Sequence, residues 1–83
     1  MTELPTSPKM RAMAVRHLAE AEKHAALAQE HVIRQMEILA ELERDGYEQA
    51  AHTARELLAT FQDTLQSHLE DRDRLRAEVA ALD

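Results

Sequence analysis

The 83-residue chain has no cysteine and no tryptophan, a single glycine, a single phenylalanine, a single tyrosine and two prolines. Each scarcity excludes something. Without cysteine there are no disulfides, no thiolate nucleophile and no thiolate metal ligand. With one glycine there is no glycine-rich loop to cradle a phosphate and no strained elbow to present a nucleophilic serine. With so few helix breakers, nothing in the composition interrupts long helices. No stretch approaches the roughly 20 consecutive apolar residues that a membrane span requires. The opening MTELPTSPKMRAM has no apolar h-region, so no signal peptide is expected, and a cytoplasmic protein is the default. Basic residues are also in deficit, with 10 Lys and Arg against 16 Asp and Glu and a net charge of −6. The densest basic run, RDRLR at 72–76, carries Asp73 and follows Glu70 and Asp71. Nucleic acid and anionic membrane surfaces, which are held by unopposed basic patches, are therefore not expected partners.

What remains is rich in Ala, Glu, Leu and Arg, residues that lose little side-chain freedom in a helix. The punctuation is sparse enough to read directly. Residues 1–7 look like a disordered lead-in. Ser7 followed by Pro8 starts a helix, because the serine hydroxyl can accept an orphan N–H and proline suits the first helical position. Nothing interrupts until ERDGYEQ, where Gly46 suits the left-handed residue that closes a helix and Tyr47 can pack back on Leu42. The reading is a single hairpin over 8–83, with a helix over 8–44, a turn at 45–47 and a helix over 48–82. The second helix has a poor N-cap, with Asp45 as a possible stand-in. Each helix is about 50 Å long at 1.5 Å per residue.

Apolar spacing supports the same register. In the first helix Ala14, Leu18, Ala21, Ala25, Ala28, Val32, Gln35, Leu39 and Leu42 follow at alternating steps of four and three. In the second, Ala51, Ala54, Leu58, Phe61, Leu65, His68, Arg72, Leu75, Val79 and Leu82 do the same. These are the facing seams of an antiparallel, coiled-coil-like pair. Folding at Gly46–Tyr47 pairs residues whose numbers add to 93: Leu42 with Ala51, Gln35 with Leu58, Val32 with Phe61, Ala25 with His68, Ala21 with Arg72, Leu18 with Leu75. Most layers set a small residue against a large one, which lets the helices approach closely.

One seam is little core for a small chain. Leu27, Ile33, Met36 and Ile38 on the first helix, with Leu57 and Leu69 on the second, lie off it. An apolar surface wider than one stripe calls for a second neighbour. The fold class expected is all-α: a long antiparallel two-helix hairpin that dimerises into a four-helix bundle.

HVIRQMEILAELERDGYEQA, followed by LLATF and HLEDRDRL, resembles a group of small bacterial helical-hairpin proteins with no known activity. The matching residues are His31, Arg34, Gln35, Gly46, Leu57, Leu58, Phe61, His68, Arg72, Asp73, Arg74 and Leu75, so the likeness covers roughly residues 24–76. The turn departs from the group's pattern, with Tyr47 and Glu48 where a capping Asp or Thr would serve. The resemblance implies a hairpin and no chemistry.

His17, His24 and His31 recur every seven residues on the edge of the first seam. Neighbours are two turns apart, about 10.5 Å along the axis, whereas metal ligands on one helix are spaced by three or four residues. No histidine is followed by an acidic residue as a helical phosphoacceptor would be. The register does bring His24 beside the Ala25–His68 layer, with Arg72 one layer on and Glu20 one turn back, which makes His24 and His68 the candidate metal ligands. A buried polar layer that only fixes register is the competing explanation. Gln35, Phe61, His68 and Arg72 are the expected register residues, and Leu27, Ile38, Leu57 and Leu69 the expected interface residues. No catalytic residue and no cofactor is expected. The function anticipated is a self-associating interaction or scaffold module whose partner is itself or another helical protein. The alternative is a small metal- or ligand-binding bundle.

Overall fold

A computed structural model describes residues 7–82, and the lead-in expected over the first residues lies outside them but for Ser7. Two helices, α1 over Pro8–Arg44 and α2 over Glu48–Leu82, hold every described residue except Ser7 and the turn. They pack against each other as an extended antiparallel hairpin, and neither is long and apolar enough to cross a membrane.

The ends of α1 form as the sequence predicts. Ser7 is extended and its Oγ accepts the Met10 N–H at 3.0 Å, with proline in the first turn. At the other end the Tyr47 N–H donates to the Leu42 carbonyl at 3.0 Å and the Gly46 N–H to the Glu43 carbonyl at 3.3 Å. That is the Schellman pair of bonds, and it requires the left-handed residue between them, Gly46 at φ 78°. The Tyr47 side chain stays exposed, so the backbone bonds close the turn with little help from the ring. Asp45 serves as the C-cap of α1 rather than as a cap for α2. The start of α2 rests on backbone bonds, Glu48 N–H to the Gly46 carbonyl and Ala51 N–H to the Tyr47 carbonyl, with Glu48 complementing the helix dipole.

A Cβ added at Gly46 meets nothing within 4 Å. The cost of Gly46→Ala is therefore conformational alone, about 1 kcal/mol. Gly46→Asn should cost less, because asparagine tolerates the left-handed region. Thermal melts of the two variants check this, and equal losses would refute the conformational account.

Every seam residue named above is buried or half-buried, and beyond the seam only Ile38, Leu69 and Asp71 among the described residues are as enclosed. Contacts between the helices fall in antiparallel order along the hairpin, from Glu43 with Arg55 through Gln35 with Ala54 and His31 with Phe61 to Glu22 with Arg76. The core is thin. Among the described residues the buried ones are Ala21, Ala25, Ala28, Ala51 and Ala54 with Val32, Leu75 and Gln35, and no large side chain is fully enclosed. Alanine at so many layers gives close approach of the helices and little buried apolar area.

Candidate functional site

The two edges of the seam differ in chemistry. Along one edge, Glu22 of α1 lies 3.8 Å from Arg76 of α2 and Glu43 lies 3.5 Å from Arg55. These pairs are half-exposed and contribute little energy, but they leave that edge charged.

The other edge carries the histidines. His17, His24, His31 and Ile38 step along α1 by sevens, facing Leu57, Thr64, Asp71 and Glu78, which step by sevens along α2. His24, Leu27, His31, Thr64 and His68 line one shallow groove. His17, Glu20, His24, Asp71, Arg74 and Glu78 line the next toward the open end. The His24 and His68 rings meet, with centroids 5.5 Å apart and planes tilted by 51°. The His31 ring lies 5.8 Å from that of Phe61 at 42°. Two members of the seven-residue histidine repeat thus cover aromatic seam residues of the opposite helix, His24 a histidine and His31 the phenylalanine.

The sequence-predicted partners sort unevenly. His24 and His68 come together as the register requires. Arg72 does not join them: its Nε and Nη2 both donate to Asp73 Oδ1, at 3.1 and 2.9 Å, and it lines a groove on the ion-paired edge with Glu22, Ala25, Leu69 and Arg76. An arginine stem is long enough to carry its charge out of the seam to water, and a carboxylate on the next residue holds it there. The cation that lines the groove with His17 and His24 is Arg74. It binds Asp71 one turn before it and lies 3.6 Å from Glu78. The hydrogen bond and charge of Asp71, reinforced by Glu78, hold its guanidinium above the usual arginine range. Asp71 and Arg74 were absent from the sequence-level candidates. Their signal was available, because the outer positions of α2 on this side recur by sevens as those of α1 do.

Among the described residues no three His, Asp or Glu side chains converge closely enough to hold a metal ion. His24 and His68 supply at most two ligands of the three or four a zinc site takes.

Gln35 has a defined role. It is 6 % exposed, and its Nε2 donates to the Ala54 carbonyl at 3.1 Å, one turn nearer the hairpin tip than Leu58, which the register sets opposite it. That carbonyl is already the acceptor of a helical bond, so the amide takes its second lone pair. Leucine at 35 would lose a bond worth about 1 kcal/mol net and gain buried apolar surface of similar worth. Gln35→Leu is therefore expected to shift stability by less than about 1 kcal/mol, while Gln35→Ala, losing bond and volume together, costs about 2 kcal/mol. Urea unfolding of both variants checks this, and a large loss in Gln35→Leu would show that the bond itself holds the helices together.

Leu27 and Leu57 are 45 % and 44 % exposed, and Ile33 and Met36 are also exposed, whereas Ile38 and Leu69 are half-buried beside the seam. Compared with known proteins, the chain matches no family model, and no curated protein or solved structure is significantly similar to it.

Proposed function

We propose that the chain is a non-enzymatic, self-associating helical hairpin that works in the cytoplasm as an interaction or scaffold module. The observation that carries this reading is the mismatch between its core and its surface. Leu27, Ile33, Met36 and Leu57 are 44–53 % exposed, while the seam is closed largely by alanine. Docking a second hairpin covers such side chains at about 25 cal/mol per Å².

Analytical ultracentrifugation at micromolar concentration tests the reading. A dimer or larger assembly is expected, with a melting temperature that rises with chain concentration. A stable monomer over that range overturns it. A second reading, a small metal- or ligand-binding bundle, draws on the approach of His24 to His68. Native mass spectrometry of protein purified without added metal separates the two, since a bound mass lost in His24→Ala and His68→Ala favours the second.

A further inference from the structure

The charges of the ion-paired side are gathered at two places along it. Glu22 with Arg76 marks one and Glu43 with Arg55, beside the turn, marks the other. In the interval between them α1 presents Ala26, Gln29, Ile33, Met36 and Ala40 on this side, and Ile33 and Met36 are exposed. Across the seam α2 presents Ala59, Gln62, Gln66 and half-buried Leu69. The one charge within the interval is Asp73, next to the Glu22–Arg76 end, where it is bound by Arg72. Over the same length of α1 the histidine side has Arg34 and Glu41. An uncharged centre bounded by charges is the anatomy of an interface core within a polar rim.

Resting on the self-association proposed above, we infer that a second copy of this chain docks face to face on the ion-paired side, with both turns at the same end. Each ion pair then closes into a four-residue ring with its counterpart in the partner. Both pairs join residues whose numbers add to 98. A two-fold axis along the hairpin lays α1 of one copy over α2 of the other and permits no sliding, so residues at one height meet. Glu22 lies between its own Arg76 and the partner's Arg76, and Glu43 between its own Arg55 and the partner's Arg55. Acid and base alternate around both rings, which stand about 31 Å apart at 1.5 Å per residue. Between them Met36 lies over the partner's Gln62 and Gln29 over the partner's Leu69, so uncharged interval covers uncharged interval.

The opposite orientation fails on the same charges. With turns at opposite ends, the two-fold axis crosses the hairpin and lays α1 on α1. Matching interval to interval then sets Glu22 on the partner's Glu43 and Arg76 on the partner's Arg55, like charge on like at both ends. A shift of one or two heptads either way lays one ion pair within the partner's uncharged interval, where it must lose its water. With turns together, the apolar match and the charge match hold at once. Half-exposed pairs of this kind add little stability within one chain, whereas charges at the rim of an interface fix its register and exclude wrong pairings.

A charge-swap mixing experiment tests the inference. Chains carrying Glu43→Arg and chains carrying Arg55→Glu are prepared separately and checked for helix content by circular dichroism. Both positions are half-exposed, so folding should persist. The chains are mixed in equal amounts at low ionic strength and weighed by native mass spectrometry. In each homodimer the ring beside the turn holds four like charges, and in the mixed dimer both contacts between chains join opposite charges. Contacts within each chain are the same in either dimer, so the mixture reports the interface alone. The mixed species should rise from the statistical half to more than roughly eight tenths of all dimers. With turns at opposite ends the swapped residues meet Glu22 and Arg76 of the partner, attraction and repulsion cancel, and the mixture stays at half.

Because the chain has no native cysteine, a second measurement is clean and leaves the ion pairs intact. Met36→Cys chains mixed with Gln62→Cys chains should form a disulfide-linked heterodimer on oxidation. Ile33→Cys alone should not cross-link, since two copies of residue 33 meet only with turns at opposite ends. If the parent protein dimerises but the charge-swapped chains mix at the statistical half, the rings and the orientation are wrong and self-association stands. Failure of Met36→Cys to link with Gln62→Cys, or ready linkage of Leu27→Cys with Ser67→Cys across the histidine side, overturns the face. Ready cross-linking of Ile33→Cys alone overturns the orientation. If the parent is a monomer, both proposals fail together.

Discussion

Leu75→Ala is expected to lower the stability of the protein by about 3 kcal/mol, a cost within the usual range for leucine truncation in a core. Leu75 is 8 % exposed and is the most enclosed leucine in a seam otherwise closed by alanine, Val32, Gln35 and half-buried residues. It faces Leu18, with Ala21 beside it, and a hairpin with so few neighbours has nothing to move into the space left behind. A chain of this length rarely has more than about 3–5 kcal/mol in reserve from its core alone. The variant should therefore be largely unfolded at 25 °C unless association holds it. Urea unfolding followed by circular dichroism, at fixed chain concentration, measures the loss. Leu57→Ala is the informative partner. Leu57 is half out of the hairpin already, so its truncation should cost the hairpin under about 1 kcal/mol. Equal losses in the two variants, independent of concentration, would refute the division between seam and outer face.

That division was legible in the sequence because two periodic signals and one break had to agree. Gly46 is the one residue suited to a left-handed turn, and the steps of three and four on either side of it pair seam with seam only if the chain folds there. The His24–His68 contact followed from the same register. Arg72 was not legible, because register predicts where a Cα sits and not where a long side chain carries its charge. A carboxylate on the adjacent residue and the ion-paired edge decided that. Gln35 shows the same limit on a smaller scale: its layer was correct, but its bond runs to a backbone carbonyl one turn away. The exposed leucines were visible as residues off the seam, yet which edge each one belongs to emerged only when the outer positions of both helices were placed together.

The alternation of small and large residues across the seam implies that the helices are held at a close separation, and Ala51→Leu is the sharpest test of where that separation is enforced. Ala51 is 1 % exposed, the most buried of the described residues. It packs in the layer beside the turn, and its own N–H donates to the Tyr47 carbonyl at 2.9 Å. Three turn residues, two of them in the Schellman bonds, tie the helices together there, so the backbones cannot separate to admit three further carbons. Overpacking of a confined site costs typically 1–3 kcal/mol, and the upper part of that range, about 2–3 kcal/mol, is expected here. For a domain of this size that corresponds to a fall in melting temperature of roughly 10–20 °C. Ala14→Leu supplies the contrast. Ala14 is a half-buried seam alanine at the open end, opposite Val79, where the helices are free to splay and added apolar area can be accommodated. Its melting temperature should stay the same or rise. If both variants fell equally, the close approach would be a property of the whole seam rather than of the turn, and the tip of the hairpin would not be the point from which its geometry is set.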